Sequence, residues 1–106
     1  MLRSAQRISI LFPMVTHIVF FDFETTDIAQ EAQQKLLSME GKIPGLISIE
    51  VGLDFTRSER SFDLALITRH DTRQALETYR THPVHLEVAE FIQNRSKGAA
   101  AVDFES

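Results

Sequence analysis

From Val15 to Phe23 the chain reads VTHIVFFDF, rich in β-branched and aromatic residues, which is the composition of a strand. Alternation puts His17, Val19, Phe21 and Phe23 on one side and Ile18 and Phe20 on the other. Both sides are apolar, so this strand belongs inside a sheet that is covered on both faces. Leu46 to Phe55 alternates cleanly, with Ile47, Ile49, Val51, Leu53 and Phe55 opposite Ser48, Glu50 and Asp54, and predicts a second strand. After the polar stretch Thr56–Ser61, Phe62 to Arg69 predicts a third, paired with the second as an antiparallel hairpin. His70 falls just past its end and reads as solvated. Ala99–Phe104 predicts a short last strand.

Between these runs the apolar spacing changes to three and four residues, the period of a helix. Asp27-Ile28-Ala29-Gln30 has capping-box form and opens a helix with Ile28, Ala32, Leu36 and Met39 along one stripe, which Gly41 ends. Ile43-Pro44-Gly45 reads as a turn, with proline fixing φ and glycine free to take positive φ, as in a type II turn. Asp71-Thr72-Arg73-Gln74 is a second capping-box pattern, before a helix carrying Ala75, Leu76 and Tyr79. Pro83 starts a further helix, since proline is tolerated at the first helical position. Its stripe is Val84, Val88, Phe91 and Ile92, and Gly98 stops it.

The order strand–helix–strand–strand–helix–(helix)–strand predicts an α+β fold: a ferredoxin-like antiparallel four-stranded sheet with helices on one face. One helical layer leaves the other face of two-sided strands bare. A second copy packed sheet to sheet covers it, so the pattern predicts a twofold homodimer lined by Ile47, Ile49, Val51 and Leu53 or by residues of the opposing strands.

At 106 residues there is room for one core only. The expected division is an extension over residues 1–13, mobile and ahead of a natural start at Met14, and a single domain over 14–106. The extension carries Arg3 and Arg7 and no acid, but Pro13 cuts its apolar run too short for a secretory signal. No stretch approaches the roughly 20 apolar residues that span a bilayer, which argues against a membrane partner. A net charge of −4 and the absence of a Lys/Arg run argue against nucleic acid as a partner. Cysteine is absent, which removes disulfides, thiolate metal sites and cysteine nucleophiles. A reducing, cytoplasmic location is compatible with that.

Chemistry concentrates in Tyr79-Arg80-Thr81-His82-Pro83-Val84-His85. Two imidazoles and a phenol stand at a helix-to-helix junction, a set that supplies a base and a hydrogen-bond donor near neutral pH. His82, beside Pro83, also fits the role of helix cap. His85 sits on the edge of the apolar stripe, where a half-buried, satisfied histidine is the structural alternative. His17 shares a face with Val19, Phe21 and Phe23, either as a buried, partnered histidine or facing a pocket between sheet and helices. His82-x-x-His85 lacks a third ligand for a metal. There is no phosphate loop, nucleophile elbow or dinucleotide fingerprint, so no cofactor is expected.

The set His17–Phe23, Lys42–Gly45, Ser48–Gly52, Phe62–Leu66, Tyr79–His85 and Val102–Phe104, in this order, resembles the stress-responsive A/B barrel (Dabb) family over Met14–Glu105. The resemblance implies a dimeric α+β barrel. It also brings in a plant branch of polyketide cyclases, in which a tyrosine and a histidine around the His-Pro-x-His segment are catalytic and a strand histidine lines the pocket. Tyr79, His85 and His17 stand at those positions. A further pocket histidine of that branch has no counterpart in Phe62-Asp63-Leu64. Two functions follow. One is a non-catalytic homodimer holding a small apolar or carbonyl ligand between sheet and helices, with His17, Tyr79, His82 and His85 as ligand-binding residues. The other is a cofactor-independent cyclase- or lyase-type enzyme, with His85 taking a proton beside a carbonyl and Tyr79 donating to the developing enolate. A cofactor-free monooxygenase is a third, without a diagnostic residue.

Overall fold

The computed structural model describes residues 13–106, so the expectation for the extension, apart from Pro13, lies outside the described residues. The elements are β1 (Val15–Phe23), α1 (Thr26–Leu37), β2 (Leu46–Leu53), β3 (Leu64–His70), α2 (Arg73–Thr81), α3 (Pro83–Arg95) and β4 (Ser96–Glu105). The four strands form one antiparallel sheet in the order β2-β3-β1-β4, with the helices on one face. This is the ferredoxin-like α+β arrangement that the pattern predicts.

Side-chain hydroxyls start the first two helices. Thr25 accepts from the Ile28 amide at 3.2 Å and Thr72 from the Ala75 amide at 3.0 Å. The caps are therefore these threonines rather than Asp27 and Asp71, because each has the extended backbone an N-cap requires. Asp27 lies in the first turn of α1, where a negative charge suits the helix dipole. Between α2 and α3, Pro83 excludes helical geometry from the residue before it, and His82 is extended at φ −67°, ψ 137°. The predicted turn is present: the Leu46 amide reaches the Ile43 carbonyl at 3.2 Å, and Gly45 has φ +83°.

Gly45 is required twice over. A Cβ there would lie 2.8 Å from the Ala75 Cβ, besides straining a left-handed backbone. Gly45→Ala should therefore cost about 1–3 kcal/mol, read as a lowered midpoint in chemical denaturation. A loss of only a few tenths would mean that α2 shifts freely away from the turn.

Packed against the helices are Val15, Val19 and Phe23 of β1, Val51 of β2, and Leu64 and Leu66 of β3. They meet Ala29, Ala32, Leu36, Leu76, Tyr79, Val88 and Ile92. Ile49 and Leu53 pack against this core as well. The alternating apolar face of β2 is thus the helix-covered one, not the bare one. A bulge between Leu46 and Ser48 takes Ile47 out of the alternation and leaves it 51% exposed. Phe55 lies beyond the end of β2 and is 93% exposed.

The face without helices belongs to the other parity. Thr16, Ile18 and Phe20 of β1 are paired with Arg69, Ile67 and Ala65 of β3 and with Phe104, Val102 and Ala100 of β4. Phe20, Val102 and Phe104 are exposed there. β4 is longer than predicted. α3 ends at Arg95 with Ser96 as its C-cap, so Gly98 lies within the strand instead of stopping the helix.

Candidate functional site

Three of the residues singled out in the sequence meet at one end of a cavity of about 170 Å³ between β1 and α3. His17 comes from the strand, Tyr79 from the last turn of α2 and His85 from the first turn of α3. The break at Pro83 lets the last two, six residues apart, both turn inward. The Tyr79 ring centroid is 6.0 Å from that of His17 and 4.3 Å from that of His85. His82 does not line the cavity. Its Nδ1 accepts from the Val84 amide at 3.1 Å, capping α3. No cluster of three or more metal-ligand residues occurs among the described residues.

Arg80 orients both histidines. Its carbonyl contacts His85 Nδ1 at 3.1 Å. A carbonyl only accepts, so Nδ1 carries the hydrogen and Nε2 is the lone pair of the neutral ring. Its guanidinium donates to Asp103 Oδ2 at 2.8 Å, and Asp103 Oδ1 accepts from His17 Nδ1 at 2.5 Å. Burial pushes the Asp103 carboxyl up, but the His17 hydrogen bond and the charge of Arg80 outweigh it and hold it below the usual carboxylate range. Burial lowers the His85 pKa, with the Arg80 carbonyl opposing and His17 adding to the fall, so His85 is neutral at pH 7. Burial raises the Tyr79 phenol far above its ordinary value, so it stays an O–H. Its oxygen is sealed from solvent and has no hydrogen-bond partner among the described residues.

His70 is the correction the structure makes to the site. It is fully buried, not solvated, because β3 runs to His70 and its alternation continues the inward set Leu64, Leu66 and Thr68. Its ring lies 4.9 Å from that of Tyr79, on a different contact from His85. Its Nε2 is 2.9 Å from Thr68 Oγ1, while Nδ1 is buried and unpartnered. Desolvation pulls its pKa down to about 4, so it too is neutral. Asp103 and Gln93 were also missed. The signal for Asp103 was an acid set between the apolar Val102 and Phe104 of β4; for Gln93 it was the four-residue spacing from His85 through Ala89.

The stress-responsive A/B barrel domain, Dabb, matches residues 15–106. The chain belongs to that family. Among curated proteins, none matches it. Several solved structures share the fold. A dimeric ferredoxin-like protein of unknown function from Bacteroides fragilis is 26% identical with a TM-score of 0.78, over 88% of this chain and 96% of that one. A dimeric ferredoxin-like protein of unknown function from Thermobifida fusca is 23% identical with a TM-score of 0.79, over 89% and 92%. The hydroxynitrile lyase of Passiflora edulis is 14% identical with a TM-score of 0.76, over 88% and 93%. No helix among the described residues is long and apolar enough to cross a membrane.

Proposed function

We propose that this Dabb-domain chain works as a twofold homodimer in which each copy holds a small, uncharged carbonyl ligand in the cavity between β1 and α3. The observation that carries the ligand reading is the convergence of His17, Tyr79 and His85 on one end of an otherwise apolar space. The unpartnered Tyr79 hydroxyl is the donor for a carbonyl oxygen placed there, while the carbon chain lies against Leu36, Leu66, Val88 and Ile92. The bare apolar sheet face supports the dimer, and so does the dimeric state named for the two bacterial neighbours.

Titration with hexan-2-one, followed by methyl NMR, tests the ligand. Methyl signals of Leu36, Leu66 and Val88 should move together and saturate, and Ala89→Phe, which fills the cavity, should abolish the response. Unmoved methyl signals at millimolar ketone would overturn the reading.

A catalytic reading is favoured by one observation: the free His85 Nε2 lies on a ring in contact with the Tyr79 phenol. In it, His85 takes a proton beside the carbonyl while Tyr79 donates to the oxygen. The Passiflora neighbour is a lyase on this fold, at an identity that carries the fold alone. Tyr79→Phe separates the readings. Its hydroxyl has no partner, so the variant should be as stable as the wild type or up to about 1–3 kcal/mol more stable. Under the ligand-holding reading, ketone affinity changes modestly and no cyanohydrin or enolisable thioester is consumed by either protein. Turnover by the wild type that falls about 10²–10⁴-fold in the variant would establish the enzyme instead.

A further inference from the structure

The cavity has two chemically different ends. His17, Tyr79 and His85 close one, and Gln93 stands at the other. His85, Ala89 and Gln93 follow at four-residue steps, so they share a face of α3 and line the cavity over two turns. At 1.5 Å per residue that is about 12 Å. The strand wall agrees: His17, Val19 and Phe21 are alternate residues of β1 on the helix side, spanning about 13 Å.

Volume and length together define the shape. A cavity of about 150 Å³ is enough to take benzene, and this one has about 170 Å³. The lining runs along two turns of α3, an elongated arrangement that suits an extended chain better than a ring. The volume fits a chain of about six to eight non-hydrogen atoms. The middle of the slot is hydrocarbon. At its rim the exposed Gln93 offers an amide that both donates and accepts. The nearby cation, Arg80, already donates to Asp103, so nothing in the slot compensates a ligand charge.

We infer that the ligand is a linear, medium-chain carbonyl compound with a second, uncharged hydrogen-bonding group at its far end, such as a hydroxyl. The carbonyl sits among His17, Tyr79 and His85, and Gln93 reads the distal group as the residue that determines specificity. This rests on the ligand-holding reading above and adds the shape and the second polar group.

The test compares hexan-2-one, 6-hydroxyhexan-2-one and cyclohexanone by NMR titration of the full chain and of Gln93→Leu. Gln93 is exposed, so the substitution leaves the core untouched, which circular dichroism checks. In the wild type the hydroxyketone should bind about three- to tenfold tighter than hexan-2-one, the range of one hydrogen bond. Cyclohexanone should be the weakest. In Gln93→Leu the hydroxyketone should lose its advantage over hexan-2-one. If the ketones bind but the hydroxyl makes no difference, or its advantage survives in Gln93→Leu, the role of Gln93 is overturned and the ligand-holding reading stands. Tighter binding of cyclohexanone than of hexan-2-one overturns the slender slot. If no compound moves the lining residues, both readings fall together.

Discussion

Lowering the pH from 7.5 to 4.5 should destabilise the domain by on the order of 3 kcal/mol through His70 alone. The folded protein holds this imidazole at about 4, whereas its ordinary value is 6.5. Between those values the unfolded chain binds the proton and the folded chain does not. Stability from keeping His70 neutral is therefore complete above pH 6.5 and lost as pH falls through about 4. Desolvation is the main cause, reinforced by His17 and Arg80, with Asp103 and Asp71 opposing. His85 shifts the same way and adds to this limb. The depressed carboxylates Asp63, Asp103 and Glu105 contribute below it, as the pH falls through the range in which carboxylates protonate.

His70→Phe tests this cleanly. A phenyl ring keeps the contact with Tyr79 but cannot titrate, and it leaves Thr68 without its partner at every pH. The variant should start less stable than the wild type at pH 7.5 and lose much less by pH 4.5. Denaturation midpoints across that range give the slopes, and NMR titration of the His70 ring should find its midpoint near 4. Equal slopes for the two proteins would remove His70 from the acid response.

His70 also shows where the sequence stopped being informative. The strand was legible, but its boundaries were read as Phe62–Arg69 instead of Leu64–His70. A one-residue difference at the end turned an inward histidine into a solvated one. Parity held the answer: His70 is an even step from Leu64, Leu66 and Thr68. β2 left a choice open. Its alternation was real, but alternation says only that two faces differ, not which one the helices cover. That choice follows from register, and a bulge at Ile47 is invisible in composition. Local chemistry read well where the constraint was local. Pro44-Gly45 gave its turn and His82-Pro83 its break, because both depend on backbone geometry within a few residues. Tyr79 and His85 were found from their spacing around that break. Asp103 and Gln93 were not, because their meaning comes from β1 and from the cavity, far away in the chain.

Charging the bare face of the sheet should abolish dimerisation. Ile18, Val102, Phe20 and Phe104 share that face, and Val102 is 58% exposed in a single copy. Val102→Asp therefore costs the isolated fold little, since the carboxylate stays in water. In a face-to-face dimer it would be buried without a partner, at about 3–5 kcal/mol. Twofold symmetry repeats the charge in the other copy, so the penalty enters twice and weakens association by more than about 10⁴-fold. Light scattering at micromolar concentration should give a dimer for the wild type and a monomer or aggregate for Val102→Asp. Leu86→Asp is the matched control: Leu86 is 52% exposed, but on α3, away from the sheet face. It should remain dimeric with unchanged melting behaviour. A monodisperse monomer from the wild type, or a dimer that survives Val102→Asp, would mean that this apolar face is not where two copies meet.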